Sequence, residues 1–381
     1  MTEGVRMQRQ LAVMLALACL AGPGRSGEWT QWRGSNRDLI VTGERLMAEW
    51  PADGPQRLWH VELPGEGYSE PVVAGGTIYI TGSTGGKQDR AGNLYALRPQ
   101  DGSILWQVGY GPEWGASYEF ARTSPTLVSG RIYLVSGLGR VVCLSAADGK
   151  ILWQVDAHAV FGGRNITWGI ADNPLVYDNK VICQPGGPDA SVVALDARSG
   201  KKVWQSKGLG ERSAYCSPAL LTINGRRQVV TMLEDHVVGV DAETGRPLWR
   251  HPHRNKYAVH PNTPVLCGKD RVFVSSGYGH GAEILAIAGG KVERVWSDKS
   301  SDNHFQGVAL YQGRIFSSGG GRLTCFDPAD GRAVYQVAGA KKTSFCITPA
   351  GMITYDERSG TVMLVRVTAD THEVVSSFKI E

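Results

Sequence analysis

Short runs in which apolar and polar side chains alternate, separated by turn-forming residues, recur along most of this chain. One unit reads YALRPQDGSILW from Tyr95, VCLSAADGKILW from Val142, VALDARSGKKVW from Val193 and VGVDAETGRPLW from Val238. Two weaker copies follow, AIAGGKVERVW from Ala286, shortened in its turn, and TCFDPADGRAVY from Thr324; the last, ending near Phe378, is the most degenerate. Period-two alternation predicts half-buried strands. The Asp-x-x-x-Gly or Asp-Gly step predicts a reversal, with the carboxylate bonding local backbone and Gly taking a positive φ. The closing Trp recurs at positions 59, 106, 153, 204, 249 and 296, in steps of 47, 47, 51, 45 and 47 residues, and Tyr335 and Phe378 continue the series.

Between these units lies a second hairpin, seen as SEPVVAGGTIYI from Ser69, SPTLVSGRIYLV from Ser124, SPALLTINGRRQVV from Ser217 and TPVLCGKDRVFV from Thr263. A Pro at the start of each first strand breaks no ladder bond there. Two hairpins per period of forty-odd residues predict an all-β fold, a seven-bladed β-propeller of four-stranded antiparallel blades. The alternative is eight blades, with a degenerate one drawn from residues 29–63. The strand ending at Trp59 is expected to pair with the last blade as a clasp that hides its edge.

With 42% hydrophobic and 20% charged residues among 381, the chain has the composition of a folded protein with a large core. A net charge of +4 without a Lys/Arg block excludes a general nucleic-acid surface. Arg6 and Arg9 precede an apolar run, residues 11–20, too short to span a bilayer; residues 1–27 are expected to be a signal peptide, 28–56 an N-terminal extension and 57–381 the propeller. Cys19 stands where a lipoprotein cysteine would, but Ala16-Leu17-Ala18 departs from that pattern, so soluble export to the periplasm or cell envelope is expected. The other six cysteines include no Cys-x-x-Cys pair. Cys143 and Cys325 occupy the repeat position of Ala96 and Ala194, as small buried hydrophobes would.

The units VALDARSGKKVW and GVDAETGRPLW resemble the repeat of the pyrroloquinoline-quinone (PQQ) propeller superfamily, which includes quinoprotein alcohol dehydrogenases and the BamB lipoprotein of outer-membrane barrel assembly. The opening WTQWRGSNRD, from Trp29, is similar to the start of PQQ-like repeat proteins of planctomycete-type bacteria. For the dehydrogenases the resemblance implies PQQ and calcium, organised by Glu, Asn and Asp beneath a vicinal Cys-Cys disulfide. This chain has no adjacent cysteines and lacks the long insertions, so those residues do not carry over and no cofactor is expected.

Function is then expected in the loops that lead into the innermost strands, which converge on the central channel. They bring Tyr68, Arg122, Trp168, Asp172, Tyr215, His260, Asn262, Asn303, His304 and Lys342 as candidate ligand-binding residues, with Glu70 beside them. His260 and His304 lack the short spacing of a metal site, so neither a metal nor a catalytic residue is assigned. Trp114, Tyr118 and Phe161, on longer loops, are candidates for an aromatic lip. The leading expectation is a non-catalytic, monomeric binding or scaffold propeller for an envelope protein or small ligand. The rival is a quinoprotein-like oxidoreductase of alcohols or sugars. A carbohydrate-active propeller would need carboxylates paired across the channel, with Glu70 and Asp172 the only early candidates.

Overall fold

Each repeated unit folds into antiparallel hairpins that join its neighbours in one sheet. The structure, a computed structural model, describes residues 28–43, 46–337 and 342–380; the expected signal segment and Cys19 lie outside them. Among the described residues, twenty-eight strands, β1 to β28 in chain order, form seven sheets of four consecutive antiparallel strands. The innermost strands are β1 (Val72–Ala74), β5 (Thr126–Val128), β9 (Leu175–Tyr177), β13 (Ala219–Ile223), β17 (Val265–Leu266), β21 (Val308–Tyr311) and β25 (Thr343–Thr348). The protein is a seven-bladed propeller.

The Trp repeat works through a bulge. In every blade the pairing of the third and outermost strands slips by one residue at the same place, for example after Cys143, which pairs with Trp153, and after Ala194, which pairs with Trp204. In six blades the extra residue is the one before the aromatic; in the last it is Val375, before Ser376, and Phe378 stands two residues beyond. The extra residue is pushed outward, which is why Leu105, Leu152, Val203 and Val295 are 41–46% exposed although apolar. The aromatic then turns inward over a small partner, Ala96, Cys143, Ala194, Gly239 or Cys325. The two cysteines are therefore small core residues.

From there the ring reaches the next blade. Trp106 lies on Gly149, Trp153 on Gly200, Trp204 on Gly245 and Trp296 on Gly331, each glycine at positive φ in the following blade's Asp–Gly turn. The indole N–H of Trp153 donates to the Ala197 carbonyl in that turn at 3.0 Å, and that of Trp204 to Ala242 at 3.2 Å. Trp249 departs because the turn it would reach is the shortened one, and its indole donates to Gln228 at 2.7 Å instead.

Closure differs from the expected clasp. The last blade takes its fourth strand, β28 (His372–Lys379), from the C-terminal segment, and Trp59 belongs to no strand. Instead Trp59 lies on Gly102 of the first blade and donates to the Pro99 carbonyl at 2.7 Å, while Phe378 of the last blade lies on Gly54. Residues 51–59 thus repeat the turn-and-tryptophan half of a unit between the last blade and the first. They supply an eighth link in the chain of ring contacts without an eighth sheet.

The remaining extension enters the channel. Trp29 bridges Val73 of β1, the Thr30 carbonyl accepts from Leu127 of β5, and Leu39 and Val41 bond Ile347 of β25. The Arg37 guanidinium donates to the carbonyls of Pro218, Asn173 and Pro174 at 2.7, 3.2 and 2.8 Å, and Arg33 donates to the Val308 carbonyl. Both arginines are buried, and burial pulls them down to about 9 and about 10. Residues 29–41, with WRGSNRD at their centre, are a plug tied to blades 1, 2, 3, 4, 6 and 7.

Candidate functional site

Five blades begin their inner strand with a residue followed by proline, and proline holds that residue extended. This lines up a ladder across blades. The Glu70 N–H donates to Ser124 Oγ at 2.7 Å, the Ser124 N–H to Asn173 Oδ1 at 2.5 Å, and the Asn173 N–H to Ser217 Oγ at 2.9 Å. Thr263 Oγ1 closes the next step on the Ser217 carbonyl at 3.0 Å. Above this collar the lead-in loops turn outward and carry the exposed side chains.

A continuous set of aromatic rings results. Trp168 stands 6.3 Å from Tyr118, 6.1 Å from Tyr215 and 6.4 Å from Tyr257. Tyr257 meets Tyr278 edge-on at 4.7 Å, and Tyr278 meets His304 at 4.5 Å. On one flank Arg122 lies 5.4 Å over Tyr68, and on another Lys342 stands 5.8 Å from Phe305 while pairing with Glu357 at 3.0 Å. Tyr68, Tyr118, Tyr257, Tyr278 and Phe305 are all exposed. We call this surface the mouth. It presents π-faces with cations nearby, a surface for flat, apolar or extended ligand groups.

The structure divides the ten candidate residues. Tyr68, Arg122, Trp168, His304 and Lys342 take part in the mouth, whereas Tyr215 is buried in the core of blades 2 and 3 with its ring against Trp168. Asn262 and Asn303 are buried: Asn262 donates to the Asn303 carbonyl at 2.8 Å, and Asn303 to the Gly307 carbonyl at 2.9 Å, so they hold the loops. Asp172 is buried against Ser213, 3.2 Å away, and burial pushes its carboxyl up to about 6. Glu70 accepts from the Trp29 indole beside Arg33, and burial raises it to about 7. Of the lip candidates, Tyr118 is 63% exposed, whereas Trp114 packs on Gly169 and Phe161, ending helix α1 (Ala157–Phe161), packs into the core of blades 2 and 3. Sequence reasoning missed Tyr257, Tyr278 and Phe305, which have no repeated counterpart.

His260 and His304 do not converge. His260 is buried, its Nε2 against the Glu234 carbonyl at 3.3 Å and its Nδ1 facing Asn255 at 3.3 Å, and burial pulls it down to about 3. Its ring stands 5.1 Å from His253, which belongs to a cluster the repeat does not announce. There His253 Nδ1, His280 Nε2 and His251 Nε2 approach one oxygen of Glu283 at 2.8, 3.5 and 3.6 Å. The available signal was HPH, 251–253, whose period of two sets both imidazoles on one side of a strand end, and HGAE, 280–283.

Residues 90–337 match the family model described as outer membrane protein assembly factor BamB. The chain belongs to that family. Over 316 residues this BamB-family chain is 24% identical to the outer membrane protein assembly factor BamB of Burkholderia pseudomallei (strain K96243), covering 74% of this chain and 78% of that protein. It is also 30% identical over 168 residues to quinoprotein alcohol dehydrogenase PedH of Pseudomonas putida, but spans only 26% of that protein. Among solved structures, a quinohemoprotein alcohol dehydrogenase of Pseudomonas putida HK5 superposes with a TM-score of 0.66 at 14% identity, over 93% of this chain and 72% of that one. BamB from Moraxella catarrhalis superposes at 0.57 and 13% identity, over 82% and 88%. At such identities the superpositions show the fold alone.

Proposed function

We propose that this BamB-family propeller is a non-catalytic binding module of the cell envelope, and that its mouth holds an outer-membrane protein or another exported polypeptide during assembly. The observation that carries the reading is the run of rings from Tyr118 through Trp168, Tyr257 and Tyr278 to His304, contributed by several lead-in loops and, for Tyr278, by the turn at 277–280 before β19. Stacked, partly exposed aromatics bind extended chain at small entropic cost, because each ring has only two torsions to fix. The similarity to assembly factors named BamB agrees with this use of the face. Residence in the envelope, as a monomer without a membrane-spanning helix, is part of the same proposal; among the described residues no helix is long and apolar enough to cross a bilayer.

The proposal assigns no redox cofactor. PQQ in the channel would meet Arg33 and Arg37, whose side chains are bonded there to the inner-strand carbonyls. All six described cysteines are free, and none has a cysteine beside it to form the cover that PQQ dehydrogenases use. The residues present do not fit that group, and no step is routed through it.

Equilibrium titration tests the proposal. The purified mature chain should bind a urea-solubilised outer-membrane protein on dilution, and Trp168→Ala with Tyr278→Ala should weaken binding at least tenfold, about 1.4 kcal/mol. Equal binding by the double variant, combined with PQQ- and calcium-dependent dye reduction by alcohols, would overturn it.

A further inference from the structure

The imidazole cluster between blades 4 and 5 stands apart from the mouth's proposed task. His251 belongs to β16 (Pro247–Pro252), His253 follows that strand, and Glu283 lies on β19 (Gly281–Ala288) of the next blade. We propose that His253, His280 and Glu283 form a binding site for a divalent ion of the zinc class, a site that opens onto a surface cleft.

Donor geometry is the first argument. One ligand atom from each of the three residues lies within 4.8 Å of the other two. Ligands about 2.0–2.2 Å from a zinc ion stand roughly 3–4 Å apart, so small side-chain shifts bring this set to coordination distance. Neutral imidazoles with a carboxylate suit a late first-row dication. His251 lies 3.6 Å from the same Glu283 oxygen but outside this set of three.

The outer contacts are the second argument. His280 Nδ1 lies 2.7 Å from the Arg254 carbonyl, which can only accept, so Nδ1 carries the hydrogen. In the neutral ring Nε2 then turns a lone pair toward a carboxylate oxygen 3.5 Å away, an arrangement that calls for a positive charge between the two atoms. His253 Nε2 is paired with Ser276 Oγ at 3.0 Å, which leaves Nδ1 for the site. Arg294 donates to the other Glu283 oxygen at 3.2 Å. Each of the three ligands thus has the orienting partner that bound metal ligands generally possess.

Access is the third. His280 and Glu283 border a cleft of about 440 Å³ whose rim bears Arg254, Lys256 and Lys299. These cations oppose a bare dication but favour one that holds an anion, so the open position is assigned to hydroxide, carboxylate or phosphate.

The test uses Zn²⁺ alone on the chelator-treated mature chain, by calorimetry and by elemental analysis after gel filtration. One equivalent should bind with Kd in the micromolar range or below. His280→Gln, at a half-buried ring, should weaken it at least tenfold with an unchanged circular dichroism spectrum, and His372→Gln, on β28 of the last blade, should leave it intact. Co²⁺ should give the visible bands of a four- or five-coordinate site. Absence of binding by the folded chain at 100 µM Zn²⁺, or equal binding by the His280→Gln variant, would overturn the proposal and leave a proton between His280 and Glu283. Either result is independent of polypeptide binding at the mouth.

Discussion

At the scale of single residues, the unusual feature is how much charge is buried along the axis. Arg33 and Arg37 are held by carbonyl oxygens at the starts of inner strands, and Glu70 and Asp172 lie near them. Glu70 makes a prediction whose sign follows from linkage. Burial keeps its carboxyl protonated in the native state up to about pH 7, whereas the unfolded chain releases the proton near 4.5. Between those values the native state binds more protons, so this group's stabilising contribution is complete below the unfolded value and is lost as pH rises through the folded one. Denaturant unfolding at several pH values should show wild type losing stability relative to Glu70→Gln between about pH 4.5 and pH 7. Parallel profiles would mean that Glu70 is ionised throughout.

At the scale of elements, stability depends on aromatic rings that cross from one blade to the next. A ring so placed contributes roughly 2–3 kcal/mol when fully buried, and its fit depends on a glycine. A Cβ at Gly149 would come within 2.8 Å of the Trp106 ring, whereas one at Gly130, at the same φ of +73°, would meet nothing within 4 Å. Both alanine variants suffer about 1–2 kcal/mol of left-handed backbone strain. Only Gly149→Ala adds overpacking of about 1–3 kcal/mol. Chemical denaturation should therefore separate the two variants by at least 1 kcal/mol, and equal losses would contradict the tie. These contacts explain why the fold was legible: the Trp, the turn glycine and the small partner recur in register. The Trp59 clasp was misplaced because a lone copy of the unit's end looks like a strand in need of a sheet, when its ring and turn act without one. WRGSNRD shows no strand period, so its role as a plug was invisible.

At the scale of the whole molecule, the channel is closed by its own N-terminal segment, and the mouth is the surface proposed for a partner. That the lead-in loops would carry the site was legible, because in five blades the loop sits just before a strand marked by proline and the hairpin repeat places the other two. Which of their side chains face outward was not, since each loop supplies both a buried anchor, such as Asn303, and an exposed group, such as Phe305. The exposed rings come from loops that differ between blades, beyond the reach of a repeat. Photo-crosslinking in the native envelope tests the central claim most directly, with the reactive residue placed at Tyr118 or Tyr278 in the mouth and at Val203 on an outer strand. The mouth positions should capture exported outer-membrane proteins, with capture lost on Trp168→Ala, and Val203 should not. Equal capture from Val203, or none from the mouth, would contradict the claim that this face is where the propeller works.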